Sequence, residues 1–274
     1  MHDGADTAFY LHQGHAVVAI EADPTLAGAA AIRFSHAIRS GQLQVLNVGI
    51  AERKGTAAFW ISDDNTVWNS FDVRIASRNG SRHHSIAIET WRFADVLSAF
   101  GVPEYLKIDI EGADALCIRD LHPDALPRFS SVESECVGDG ERLADEEATR
   151  MLSLLRDAGY RRFKLVSQDD FRTACHPDRW SGLRRLVDSA AYGKLSRFGL
   201  KRFAEKGSTQ GRLRRLNGGY RFPVGSTGPW GDGLLGQWLN YEQARETYLA
   251  LRAKFFSNAE AIAYAFWYDW HATL

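Results

Sequence analysis

YLKIDIEGAD, residues 105 to 114, decides how this chain is read. Leu106, Ile108 and Ile110 alternate with Lys107, Asp109 and Glu111, and alternation at period two describes a strand with two unlike faces. Gly112 closes the strand, and a helix is expected from Ala113 to Leu121. In open α/β sheets, ligands sit just beyond the carboxyl ends of the strands. Asp109 and Glu111 are therefore expected at a site, projecting from one face of the strand about 7 Å apart along it. A lysine inside a central strand is costly unless paired, so Lys107 is expected to neutralise a carboxylate.

Outward from this stretch, the order of elements is that of an α/β protein. Asp6 or Thr7 can cap a short helix over Ala8–Gln13, stopped by Gly14. HAVVAI (His15–Ile20) reads as a buried strand ending at Glu21. Asp23-Pro24 supplies an N-cap and a first-turn proline for a helix with Leu26, Ala30, Phe34 and Ile38 on one stripe, stopped by Gly41. LQVLNVGI (Leu43–Ile50) is the next strand. Helix, strand, helix, strand is half of a doubly wound unit.

Further strands are expected over Thr56–Ile61 and Ser85–Glu89, and a helix over Phe93–Phe100. Between those strands lies a polar loop carrying Trp68, Ser70 and Asp72, placed where acceptor-recognition loops gather. Past the central strand, Ser130–Cys136 puts Glu133 and Glu135 on one face; Asp145–Ala158 reads as a helix and Tyr160–Val166 as a strand. Amphipathic helices are expected over Tyr241–Phe256 and Ala259–Trp267. The expected organisation is one domain, an α/β core over 1–168 with a helical and loop extension over 169–274.

Composition narrows the function classes. Lys+Arg 33 against Asp+Glu 34 leaves almost no net charge, which argues against dedicated nucleic-acid binding. No apolar run nears the roughly 18 residues of a membrane span. Three scattered cysteines without CxxC spacing (Cys117, Cys136, Cys175) suggest free thiols in a reducing, cytoplasmic setting. The histidines lack metal-ligand spacing; His176 and His271 are the two worth testing as bases. The chain has no GxSxG, hence no nucleophile elbow, and no full GxGxxG, which disfavours a nicotinamide oxidoreductase. The basic segment Lys194–Arg221 reads as a solvated, glycine-rich surface.

The opening combines an Asp-Gly turn, a helix start and a strand ending in an acid. In nucleotide-binding α/β folds that acid accepts bonds from a ribose diol, a role for which Glu21 is well placed. Nicotinamide enzymes, flavoproteins and methyltransferases share this spacing, and a solvated strand end fits it equally.

In order, DGADTAFYLHQGHAVVAIEADP, WNSFD, YLKIDIEGAD, GSTGPWGD and the terminal WYDWHA resemble the FkbM family of methyltransferases. The resemblance implies a class I, Rossmann-like fold with a mostly parallel sheet, binding S-adenosylmethionine and methylating a hydroxyl of a sugar or small acceptor. By position it implies cofactor contacts from Gly4 and Asp6 in the glycine motif, from Glu21 and Ala22 after the second strand, from Asn47 and Gly49 beside the adenine, and from Asp109. Asp109 and Glu111 fall in the acidic strand-end motif as the catalytic pair, while Trp68, Ser70, Glu133 and Glu135 are the expected acceptor-side residues.

The family's first, central strand ends in a glycine upstream of this motif, and this sequence begins inside it. The strand between those ending at Glu21 and Glu111 is therefore missing, and the expectation is an in-frame apolar strand encoded upstream of Met1. A rival expectation keeps the fold as a catalytically silent binding module with a cut glycine motif. Methyl transfer to a hydroxyl needs a base of raised pKa or a metal. Asp109 and Glu111 with Glu133 or Glu135 would make an all-oxygen set suited to Mg²⁺, although a metal is not the favoured reading; the bland one has Glu111 capping the next helix.

Overall fold

The structure, a computed structural model, describes residues 1–135, 137–138, 141–174, 209–223, 225–257 and 266–274. The chain divides into two compact units, Met1–Pro127 and Arg128–Leu274.

The first unit opens with α1 (Ala5–His12), β1 (Val17–Ile20), α2 (Pro24–Arg33), α3 (Ser35–Arg39) and β2 (Leu43–Leu46). Gly4, at φ 75°, is the N-cap of α1, so backbone shape rather than the Asp6 or Thr7 side chain starts the helix. A Cβ on Gly4 would lie 2.6 Å from the Phe34 ring, which shows how closely α1 approaches that ring. α2 starts as expected, with Asp23 Oδ1 accepting from Thr25 N at 2.7 Å and Pro24 in the first turn. The single helix expected to reach Gly41 breaks at Phe34, whose ψ of 22° ends α2. β1 and β2 pair in parallel from Val17↔Leu43 to Ile20↔Leu46. Ala19, Ala37 and Leu43 form the core of this layer, with Phe34, Ile38 and Val45 packed against them.

LQVLNVGI is two strands rather than one. Asn47 spends its side-chain amide on the carbonyls of Glu21 (2.9 Å) and Ala22 (3.2 Å), and the chain resumes as β3 (Gly49–Ile50) in another sheet. There β3 runs parallel to β5 (His83–Trp91), which pairs antiparallel with β4 (Gly55–Ser62). The short α4 (Val73–Ala76) lies between β4 and β5 in sequence. The unit continues with α5 (Phe93–Phe100), β6 (Tyr105–Ile108) and α6 (Asp114–Arg119). Tyr105 of β6 stacks edge-on against Tyr10 of α1, ring centroids 5.6 Å apart.

The second unit comprises β7 (Phe129–Glu133), the pair β8 (Val137–Gly138) and β9 (Glu141–Arg142), α7 (Asp145–Ala148), α8 (Arg150–Ala158), β10 (Arg162–Ser167), α9 (Thr209–Leu216), α10 (Tyr241–Phe256) and β11 (Tyr268–Thr273). β11 lies between β10 and β7 and is antiparallel to both. Asp269 through Thr273 are buried on both faces of that central strand. α10 matches its expected bounds because an Asn240/Gln243 capping box starts it. Of the helix expected over Ala259–Trp267, residues 259–265 lie outside the described residues, as do His176, Cys136, Cys175 and the 194–208 part of the basic segment.

The mixed α/β class agrees with the sequence reading. In place of one doubly wound, mostly parallel sheet, the described residues form small sheets of mixed direction. No helix among the described residues is long and apolar enough to cross a membrane.

Candidate functional site

The site is built from the ends of β1 and β6 and from the WNSFD turn, all in the first unit. The strand of YLKIDIEGAD stops at Ile108, so Asp109 and Glu111 do not project from one face of a strand as expected. Asp109 follows the last paired residue, and Glu111 turns back at φ 48°, in the left-handed region. Gly112 follows at φ 98°, and a Cβ there would meet Ile75 Cδ1 at 2.9 Å. Asp114 closes the turn, its carboxylate accepting from Ile110 N (3.1 Å) and Gly112 N (3.2 Å). The helix-capping role considered for Glu111 is not observed: Ala113 is the N-cap of α6 and no side chain bonds that helix's first N–H groups, while Asp114 braces the turn before it.

Six charged groups set the electrostatics: Lys107, Arg78, Asp6, Asp109, Glu111 and Asp114. Lys107 Nζ donates to Asp109 Oδ2 at 2.6 Å and lies 3.4 Å from Asp6 Oδ2. The Lys107 ammonium, followed by its hydrogen bond, holds the Asp109 carboxyl below the usual range. Glu111 is pushed the other way, up to about 7, by desolvation and then by the Asp109 charge. Arg78 Nη1, 3.7 Å from Glu111 Oε2, partly offsets that rise. Burial and Asp109 also raise Asp114. Neighbouring carboxyls pushed in opposite directions occur at acid–base sites and in structural ion-pair networks alike.

At the end of β1, Glu21 is 9% exposed and its carboxyl is lowered. Burial acts to raise it, and is outweighed by the Met1 ammonium and by hydrogen bonds from that group, Asp23 N and His2 N. Glu21 Oε1 accepts from Asp23 N at 2.9 Å; Oε2 accepts from the Met1 ammonium at 2.9 Å and from His2 N at 2.8 Å. Ala22 and Asn47 sit beside it, the latter through the two carbonyl bonds already described. A Cβ on Gly49 would lie 2.4 Å from Phe71 Cζ and 2.8 Å from Ile88 Cδ1, so any larger residue there would have to displace those side chains.

In the polar loop, Asn69 is a residue that the sequence reading did not single out. Asn69 Nδ2 donates to Asp23 Oδ2 at 2.9 Å, and Asn69 Oδ1 accepts from Ser62 N at 2.9 Å. Ser70 is 1% exposed, and its hydroxyl donates to the Glu111 carbonyl at 2.7 Å. Trp68 is half-buried and lines, with Asp64, Asn65, Arg78 and Ser81, a cavity of about 370 Å³. Glu133 and Glu135 belong to the second unit: Glu133 closes β7 opposite Asp269, and Glu135 is ion-paired with Arg150 at 2.7 Å. His271 is buried in β11.

A family model described as the methyltransferase FkbM domain matches residues 1–162, more than half of the chain and the whole first unit. The chain belongs to the FkbM methyltransferase family. Comparison with curated proteins and with solved structures gave no significant match.

Within this FkbM methyltransferase the matched span contains each residue anticipated at the site. Asn69 could have been noticed as the one amide in WNSFD, but its partner Asp23 lies 46 residues away, beyond any local pattern. The donor set at Glu21 bears on the cofactor the family implies. Glu21 is a charged, acceptor-only group at a strand end, and its Oε2 already holds two donors side by side. A vicinal diol presents two O–H donors of the same kind, so Glu21 fits a ribose that exchanges with the Met1 and His2 groups.

Proposed function

We propose that this protein transfers the methyl group of S-adenosylmethionine to a hydroxyl of a sugar or other small acceptor. The observation that carries the reading is Glu111, a carboxyl at the turn after β6 that is pushed up to about 7 and stands 3.7 Å from Arg78, which itself lines the Trp68 cavity. When bound, the cofactor supplies an electrophilic methyl on a sulfonium and departs as a neutral thioether. Glu21 and Asn47 would hold the ribose end, and Asp109, kept ionised by Lys107, would face positive charge.

Glu111 does the proton chemistry in this reading. A carboxylate of ordinary pKa is a weak partner for a hydroxyl, and raising it toward neutrality strengthens it as a base while leaving about half of it ionised at pH 7 and most of it by pH 8. Glu111 would take the proton of the acceptor hydroxyl as that oxygen is methylated. Arg78 orients that carboxylate, and Trp68 offers the acceptor an apolar face. Holding donor and acceptor in line supplies much of the remaining rate. Incubating the protein with methyl-labelled S-adenosylmethionine and small-molecule and glycan extracts tests this: label should enter the acceptor fraction with wild type and not with Glu111→Gln. Absence of transfer from a folded protein that binds the cofactor would overturn it.

A second reading, a fold kept for binding without catalysis, draws on Glu21, whose Oε2 is filled by Met1 and His2. A thermal shift with S-adenosylmethionine and with its demethylated product separates the two, since the silent module shows none.

A further inference from the structure

We propose that Ser70 is a positioning residue for Glu111, and that Asn69 beside it ties that position to the N-cap of α2. This rests on the reading of Glu111 as the working carboxyl.

Ser70 is a rigid post. Its N–H donates to Trp60 O at 3.0 Å, and Trp60 N donates back to Ser70 O at 2.8 Å. Trp60 belongs to β4, which pairs with β5 from Gly55↔Thr90 to Ser62↔His83, so the turn is mounted on a continuous ladder. With the backbone fixed, the buried hydroxyl has one geometry: it accepts from Asp72 N at 3.0 Å and donates to Glu111 O at 2.7 Å.

At the other end of that bond, Glu111 needs holding. A non-glycine residue in the left-handed region costs about 1 kcal/mol or more and persists only where its surroundings over-determine it. Ser70 grips the carbonyl of Glu111, while Asp114 grips the N–H groups of Ile110 and Gly112. The Glu111 peptide is thus fastened on both sides, and its carboxylate is left among Asp109, Asp114, Arg78 and Lys107.

Asn69 extends the mount. Its amide reaches Asp23, the N-cap of α2, while its carbonyl oxygen is held by Ser62 N. Consecutive side chains therefore fasten the segment after β1 and the segment after β6 to one turn. A merely structural pair would set stability alone; a positioning pair also sets how Glu111 ionises.

The test reads Glu111 directly, by carboxyl ¹³C NMR titration of glutamate-labelled full-length protein, with Glu111 assigned through Glu111→Gln. In Ser70→Ala, Glu111 is expected to titrate about one unit or more below its wild-type value as the freed turn lets water reach it, and Asn69→Ala is expected to shift it the same way. Should Ser70→Ala fail to fold, Ser70→Cys, near in size with a weak donor, is read identically. An unchanged Glu111 titration in a folded Ser70 variant would overturn the proposal, as would an ordinary carboxyl titration of Glu111 in wild type. An unshifted Asn69→Ala would overturn the Asn69 half. The titration uses no donor or acceptor, so failure to detect methyl transfer would sink the proposed function and leave this result standing.

Discussion

Lys107 Nζ donates to Asp109 Oδ2 at 2.6 Å, from within β6 to the first residue past its end. The lysine that the alternating pattern placed inside a strand is thus paired with the acid two residues on, and with Asp6 of α1 at 3.4 Å.

Replacing Lys107 by Met should return Asp109 toward the ordinary carboxylate range. A depressed folded-state carboxyl adds stability above its unfolded value, near 3.9, that is lost as pH falls through the folded value. Acid-unfolding curves below about pH 4 should therefore move to higher pH in Lys107→Met, by a small amount because Asp109 is exposed. Superimposable curves would show that the pair does not hold Asp109.

Glu111 carries the opposite sign. Its folded-state value is raised to about 7 from 4.5, so the folded protein keeps a proton that the unfolded chain has released. Its contribution to stability falls as pH rises through that window. Glu111→Gln should unfold at higher denaturant than wild type at pH 8, and the gap should close by pH 4. Methyl transfer should rise with pH around 7 in wild type and fall about 10²–10⁴-fold in the variant.

Lys164 of β10 is 2% exposed, with Nζ donating to Leu234 O at 3.3 Å and lying 4.4 Å from the Trp238 ring centroid. Burial pulls its ammonium down to about 8, against a smaller opposing pull from Asp232. Between that value and 10.5 the unfolded chain binds the extra proton, so this group makes wild-type stability rise with pH. Lys164→Met should be more stable than wild type at pH 7 by about 1–3 kcal/mol, and the advantage should shrink toward pH 10. Chemical denaturation at the two pH values checks it.

Arg252 of α10 is fully buried, and its guanidinium donates to Asp145 Oδ1 and Leu143 O, each at 2.7 Å. Truncation to Ala leaves a void and an unpaired carbonyl, for an expected loss of about 3–5 kcal/mol by urea unfolding. Arg252→Lys should recover little, because one ammonium does not reproduce the two-pronged donor.

Local chemistry was legible. Asp23-Pro24 caps α2, the amphipathic stretch Tyr241–Phe256 is α10, and Lys107 is paired as its cost demanded. What failed was continuity. The stripe from Leu26 to Ile38 splits at Phe34, LQVLNVGI splits at Asn47, and the strand of YLKIDIEGAD ends at Ile108. Each break falls where the backbone turns to another partner, such as the carbonyls that Asn47 holds or the turn that Asp114 caps.

By itself the sequence determined most of the element types in the first unit, the α/β class and the motifs that mark the FkbM family, because periodicity, caps and motif order are short-range properties of the chain. β11 (Tyr268–Thr273) went unread, being a strand only through its pairing with β7 and β10. Only the tertiary structure decided what the motif residues do to one another. Glu111 leaves the strand in a left-handed turn, Ser70 holds its carbonyl across 41 residues of sequence, and Asn69 reaches Asp23 across 46. Those bonds form because the fold buries polar groups that must find partners, and the partners lie far along the chain.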